Sequence, residues 1–483
     1  MNRNRRVKIL ATLGPASNNP EMIFKLASAG ADVFRINMSH ASHDVMRGTV
    51  AAIRGVEEQL GFPIGILVDI QGPKHRLGVF EKGEIDVQPG HVITLDSDPK
   101  PGNTERVHLP HRDILDAMQI GHRMLVNDGK VELRVIETGD GWARAEVVSG
   151  TWLADKKGVN LPDSELASGA LTEKDRKDLD AALQEEIDWV ALSFIQRPDD
   201  LAEARKVCRG RVGLMAKIEK PQAMQRLDEI IENSDAVMVA RGDLGVEMPL
   251  ELVPSMQKKM IRKCRKAGRP VVVATQMLES MINAPVPTRA EVSDVANAVY
   301  EGADAIMLSA ESAAGDYPLE AVSTMNSIAE AIESDKGYLD TIASQRPEPE
   351  PTGSDAISYA ASEIADTLGL AGIVCFTASG STGLRAARAR PAKPILALSP
   401  VPKTARRLAL VWGTQCVITP DAGDLDDMVD KACRAAYREE LARPGDRIII
   451  SAGVPLRTPG STNMLRIAYI GSDGQGSIHR STD

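Results

Sequence analysis

The sequence predicts an α/β chain built on a closed (β/α)8 TIM barrel, with a small β-barrel lid domain inserted into it and a C-terminal α/β domain after it. Three observations predict this. Short apolar runs that end in a polar residue recur eight times in the first two thirds of the chain, one interval between them is long enough for a whole domain, and a proline-rich stretch precedes a second set of strand-like runs.

The eight runs are Val7–Thr12, Val33–Asn37, Ile64–Asp69, Trp189–Ser193, Val212–Lys217, Ala236–Arg241, Val271–Thr275 and Ala305–Ser309. Continuous apolar character marks strands buried on both faces, and the amphipathic segments between them, such as Pro20–Ala29 and Leu250–Ala267, have the length of crossover helices. Eight such units close into a barrel whose site lies at the carboxyl ends of the strands, where the polar run-ends converge. The interval from Asp69 to Trp189 reads differently. Glu84–Val87, His91–Leu95, Val131–Ile136 and Trp142–Val148 alternate like half-exposed antiparallel strands, and Asn127-Asp128-Gly129 is a tight-turn signal. Gly72-Pro73 and Leu161-Pro162 mark its hinges. After Arg346-Pro-Glu-Pro-Glu-Pro-Thr352 a second α/β pattern follows, with runs Gly372–Phe376, Pro394–Leu398, Arg447–Ser451 and Met464–Ile470. The barrel is therefore assigned to residues 1–71 and 169–340, the lid to 72–168 and the C-terminal domain to 350–483.

With 26 % charged and 43 % hydrophobic residues, the 483-residue chain has the balance of a globular protein. No apolar run reaches the roughly 20 residues of a membrane span, and the basic start meets Gly14-Pro15 too soon for a secretory signal, so a cytoplasmic location is expected. Cys208, Cys264, Cys375, Cys416 and Cys433 lack C-x-x-C spacing, which suggests buried thiols rather than a disulfide framework or zinc site. A net charge of −10 and only 3 % aromatic residues argue against a nucleic-acid surface.

Glu219 and Asp243 lie at the ends of the fifth and sixth runs, where two carboxylates suit Mg2+ or Mn2+. Alternation puts Lys217 on the same side as Glu219. The other reading pairs the two acids with Lys217 and Arg241. Gly242 and Gly245 allow close backbone approach to an anion, and Arg35, Asn37 and Ser39 share a face suited to phosphate plus a cation, or to plain solvation of a strand end.

Leu13-Gly-Pro-Ala-Ser17, Phe34-Arg-Ile-Asn-Met-Ser-His40, Lys156-Lys-Gly-Val-Asn-Leu-Pro162, Lys217-Ile-Glu219, Ala240-Arg-Gly-Asp-Leu-Gly245, Ala274-Thr-Gln-Met-Leu-Glu-Ser-Met281 and Pro287-Thr-Arg-Ala-Glu291 closely resemble the motifs of pyruvate kinases, in the family's order. The resemblance implies phosphoryl transfer from phosphoenolpyruvate to ADP, giving pyruvate and ATP, with Mg2+ or Mn2+ on Glu219 and Asp243. It implies catalytic roles for Lys217, Arg35 and Thr275. Arg35 would meet the phosphates, Arg76, Lys157 and His40 the nucleotide, and Gly242, Asp243 and Thr275 the substrate carboxylate. Thr275 would organise proton delivery, with water completing the relay.

Many members bind potassium at positions matching Asn37, Ser39, Asp69 and the carbonyl of Ile70. Here Asp69-Ile-Gln-Gly-Pro-Lys-His-Arg-Leu77 resembles the potassium-independent branch. A Lys74 ammonium would supply the missing charge, unless it points to solvent. Thr377-Ala-Ser-Gly-Ser-Thr-Gly383 suits an anion at a helix amino end, as in the family's effector sites for sugar phosphates or nucleotides, or is a simple turn. Pro455-Leu-Arg-Thr-Pro459 does not identify an effector. The resemblance implies a homotetramer with allosteric control. Rival readings are an enolate lyase or aldolase on the same barrel and a silent metabolite-binding protein; ADP-dependent pyruvate formation separates all three.

Overall fold

The fold is that of a computed structural model describing residues 3–455 and 462–477; the Leu456–Pro459 part of the C-terminal motif lies outside the described residues. Eight parallel strands close in sequential order: β1 Lys8–Leu13, β2 Val33–Asn37, β3 Gly65–Ile70, β4 Trp189–Leu192, β5 Gly213–Ile218, β6 Ala236–Ala240, β7 Val271–Ala274 and β8 Ala305–Leu308. Each falls within a residue or two of its expected run. Alternation sorts the side chains into two cores. Leu10, Val33, Leu67, Ala191, Met215, Met238, Val272 and Met307 fill the barrel interior, while Ile9, Phe34, Ile66, Val190, Leu214 and Val273 pack beneath the outer helices.

The helices start where their caps require. Asn19 accepts the N–H of Met22 at 2.9 Å and Pro20 occupies the first turn of helix Pro20–Ala29. Leu250–Ala267 divides into a short 3-10 turn, Leu250–Leu252, and an α-helix, Val253–Ala267, because Pro254 fits only a helix's first turn.

The lid is a curled six-stranded sheet plus a two-stranded ribbon, and its hydrogen bonding stops short of a closed barrel. The Asn127-Asp128-Gly129 turn forms, with φ of 54°, 56° and 80°, between the antiparallel partners Val126 and Val131. The C-terminal sheet contains the four expected strands and two more, Thr414–Ile418 and Gly476–Ser477.

This last domain closes the barrel's amino-terminal end. Ala409 and Leu410 join the interior core, Lys8 Nζ donates to the Thr414 carbonyl at 2.8 Å, and Arg390 meets Asp304 at 3.0 Å. The opposite end of the barrel is left to the lid.

Asp32 anchors the start of β2. Its carboxylate meets Arg5 at 2.8 Å and Arg3 at 3.2 Å and accepts the Ile9 N–H at 2.8 Å. Burial alone would raise this carboxyl, but Arg5, Arg3 and Lys8 outweigh it and hold it at about 2. A folded-state value below the unfolded one gives stability that is complete above the unfolded value of 3.8 and is lost as pH falls toward 2. Asp32→Asn should therefore lower stability at neutral pH, and the difference from wild type should shrink by about 2 kcal/mol between pH 5 and pH 2 in urea unfolding.

Candidate active site

The inward-facing positions turn from apolar to charged at the carboxyl ends of the strands. Arg35 of β2 donates through Nε to Asp69 Oδ2 at 2.7 Å and through a terminal nitrogen to Thr12 Oγ1 at 3.1 Å. The other Asp69 oxygen is 3.4 Å from Lys217 Nζ. Lys217 also lies 2.8 Å from Glu219 Oε1 and donates to Ser193 Oγ at 2.8 Å, while that hydroxyl donates to the Ile70 carbonyl at 2.8 Å. Four strands are thus joined by one buried network of two cations and two carboxylates. The strand register places Asp69 beside Asn37 and one inward position beyond Arg35's own partner Leu67 across β2 and β3.

Burial opposes the charge on Lys217, but Asp69 and Glu219 overcome it and hold the ammonium protonated well above its ordinary value. This lysine is a fixed cation rather than a base. Glu219 moves the other way for a carboxyl: burial raises it and the nearby Asp243 raises it further, against Lys217 and the Phe194 N–H. Such a group gains from a cation. Glu219 Oε1 lacks an aligned hydrogen-bond donor, and among the described residues no hydrogen bond or ion pair engages the Asp243 carboxylate. The unengaged Asp243 carboxylate and the Lys217-paired Glu219 fit Mg2+ or Mn2+, whose remaining ligands would come from substrate and water. No group of three or more acidic, His or Cys side chains forms a complete metal cage among the described residues.

Of the two ion pairs that formed the other reading of these acids, one is present and one is not. Glu219 does pair with Lys217. Asp243 does not pair with Arg241, which instead meets Asp294 at 2.7 Å and donates to the carbonyls of Ala274 at 3.3 Å and Thr275 at 2.6 Å. Arg241 therefore clamps the turn after β7. In that turn Thr275 and Gln276 both adopt positive φ, 67° and 55°, a conformation that costs a β-branched residue on the order of 1–3 kcal/mol. Thr275 Oγ1 accepts the Gly242 N–H at 2.8 Å and donates to the Ala274 carbonyl at 2.6 Å.

The remaining expected residues are placed less centrally. Asn37 Oδ1 accepts the Ser39 N–H at 3.0 Å, and Ser39 and His40 are exposed on the rim. Arg76 donates to the Lys156 carbonyl at 2.9 Å and bridges Gly158 at the lid hinge. Lys157 lies 5.2 Å over the Trp152 ring, turned to the lid rather than the mouth. Lys74 is exposed and lines the lid–barrel cleft with Asp128, Phe194, Asp243 and Glu247. Three participants had not been singled out from the sequence: Thr12, Ser193 and Phe194. Phe194 holds φ of 57° and donates its N–H to Glu219 Oε2 at 2.7 Å. Ser193 was at least visible as the polar end of its run.

The chain matches the family model for "Pyruvate kinase, barrel domain" over residues 4–322 and that for "Pyruvate kinase, alpha/beta domain" over residues 355–468. The chain belongs to the pyruvate kinase family. It is 58 % identical to a pyruvate kinase of Methylorubrum extorquens, covering 97 % of this chain and 98 % of the relative. It is 46 % identical to one of Agrobacterium vitis, covering 97 % and 99 %. A crystal structure of a pyruvate kinase from Cryptosporidium parvum superposes with a TM-score of 0.90 at 34 % identity over 96 % of each chain. Pyruvate kinases are phosphotransferases and generally use Mg2+.

Thr275 offers a test of the strained turn. Thr275→Gly removes the β-branch from a left-handed backbone position, so its stability in urea should stay within about 1 kcal/mol of wild type despite the lost hydrogen bonds. Turnover should fall by about 10²-fold or more, since an acceptor for Gly242 and the hydroxyl at the mouth are both gone.

Proposed function

We propose that this mouth transfers the phosphoryl group of phosphoenolpyruvate to ADP, giving pyruvate and ATP, the last step of glycolysis. The observation that carries the assignment is the buried Lys217, held protonated between Asp69 and Glu219 beside the Asp243 carboxylate, which no hydrogen bond or ion pair engages among the described residues. Phosphoryl transfer passes through a loose transition state in which positioning and electrostatics dominate. Lys217 faces the moving group and the developing enolate, and needs to surrender no proton to do so. Arg35, already aimed by Asp69 and Thr12, keeps donor capacity for a phosphate oxygen. Glu219 and Asp243 would hold Mg2+ or Mn2+, which when bound would supply positive charge to offset that developing on substrate oxygens.

Gly242, Asp243 and Thr275 surround the substrate carboxylate. For Gly242 to serve it, its N–H exchanges Thr275 Oγ1 for the substrate. Thr275 then aligns a water chain that protonates enolpyruvate, because a threonine hydroxyl is too weak an acid to act alone. Arg76, Lys157 and His40 bind the nucleotide. Lys157 leaves Trp152 as the lid closes and excludes water from the mouth.

Potassium is not required in this reading. Asn37, Ser39 and Asp69 are present, but Asp69 is already matched by Arg35 and Lys217, and Lys74 adds a positive charge to the cleft. The loop Thr377–Gly383 binds a sugar phosphate or nucleotide effector, where Gly380, at φ 90°, starts helix Ser381–Arg388, and a homotetramer couples that site to the barrel. The five cysteines are buried free thiols, in keeping with a reducing cytoplasm, and no described helix is long and apolar enough to cross a membrane.

A coupled assay of pyruvate formation tests the reaction: it should require both ADP and a divalent cation, and pyruvate released without ADP would favour a lyase. Lys217→Met should lower kcat by about 10³-fold or more with the fold intact by circular dichroism. In potassium-free buffer turnover should lie within about twofold of its value with potassium added, because the monovalent charge is already supplied; a many-fold activation would remove Lys74 from this role.

A further inference from the structure

Behind the two cation-binding acids lies a buried ion pair that links them to each other and to the lid. Lys220 follows Glu219 directly, and Glu247 lies one helical turn after Asp243 in the helix Arg241–Glu247, so that Asp243 and Glu247 share a face. Lys220 Nζ reaches both Glu247 oxygens, at 2.8 and 3.1 Å, with the two side chains only 6 % and 1 % exposed. Asn160, in the returning lid strand Val159–Asn160, donates to the same Glu247 Oε1 at 3.0 Å. Two residues further on, Gln222 donates to the lid carbonyls of Pro162 at 3.0 Å and Ser164 at 3.3 Å. Lys220, Glu247, Asn160 and Asp243 all line one cleft of about 50 Å³ between lid and barrel.

We propose that Lys220 and Glu247 are positioning residues: their buried pair sets the spacing of Glu219 and Asp243, and Asn160 makes that spacing answer to the lid. This rests on the reading of Glu219 and Asp243 as the divalent-cation ligands. Outer groups that orient ligands typically change metal affinity by about 10–100-fold when removed. Here the direction of the effect is diagnostic. If Lys220 were a bystander, deleting its positive charge beside a cation site would tighten cation binding. As a positioning residue, deleting it frees Glu247 and the helix bearing Asp243, and binding weakens.

The test is binding of Mn2+ alone to the substrate-free, full-length protein, followed by the electron paramagnetic resonance of free Mn2+. Lys220→Met should bind Mn2+ about tenfold more weakly or worse; affinity equal to or tighter than wild type overturns the proposal. Should Lys220→Met lose native circular dichroism, the double variant Lys220→Met/Glu247→Leu removes both charges at constant net charge. It should again bind weakly, and wild-type affinity would overturn the proposal. Asn160→Ala keeps the pair and should raise KM for ADP more than it lowers kcat, whereas an equal loss in kcat with KM unmoved overturns the lid link. Glu219→Gln serves as the control on the underlying site: undiminished Mn2+ binding there refutes the ligand assignment itself, separately from the positioning role.

Discussion

Arg35, Asp69, Lys217 and Glu219 form a buried set of charges that the carboxyl end of the barrel must hold together before anything binds. Removing ions from water costs several kcal/mol each, and one uncompensated member would destabilise the fold by about 3–5 kcal/mol. The barrel meets this by geometry. Three strands deliver the four side chains at inward positions, and the acids and bases alternate so that each cation touches a carboxylate. Adding Asp243, which has no ion-pair partner of its own among the described residues, leaves two cations against three carboxylates. The mouth thus carries an excess negative charge that favours a cation, and in the proposed reading a bound divalent ion would turn it net positive and favour a phosphorylated anion. Ordered charge compensation of this kind makes cation and substrate binding mutually supportive, without any large rearrangement of the strands.

Three of the left-handed non-glycine residues lie at the barrel mouth. Phe194, Thr275 and Gln276 adopt left-handed backbone conformations that a glycine would accept without penalty. In two of the three a charged group holds the strained backbone: Glu219 accepts the Phe194 N–H, and Arg241 donates to the Thr275 carbonyl while bound to Asp294. The barrel's apolar layers, capped below by Ala409 and Leu410, supply the rigidity against which these turns are held.

The parts legible in the sequence are those set by local pattern. The barrel strands are continuous apolar runs with polar ends, so their existence, order and inward faces follow from periodicity, and with them the convergence of Arg35, Asp69, Lys217 and Glu219. What escaped was set by distant partners. Thr414–Ile418 is a short strand, only partly buried, that exists because Ile395–Ser399 offers it an edge. Phe194 carries no sign of its positive φ, which depends on a glutamate twenty-five residues on. Arg241 looked like a counter-ion for Asp243 because the two are neighbours in sequence, yet its hydrogen-bonding fork fits the carbonyls of the next strand's turn better.

The lid hinge connects these themes. Gly72, at φ 68°, follows β3 and donates its N–H to Asp175 at 3.1 Å. A methyl group placed on it would lie 3.0 Å from both Ser193 Cβ and Phe194 Cδ2. Those two residues are the partners of Lys217 and Glu219, through a hydroxyl and a backbone N–H respectively. Glycine is therefore needed here for two reasons, its backbone conformation and the closeness of β4's end. The chain leaves the barrel for the lid in van der Waals contact with the residues that orient the central cation and one of its acids, and it returns past Asn160 to the group behind the other acid. Both hinges of the lid thus abut residues that contact Lys217, Glu219 and Glu247, which gives lid position a direct steric and hydrogen-bonded route to the geometry of the mouth.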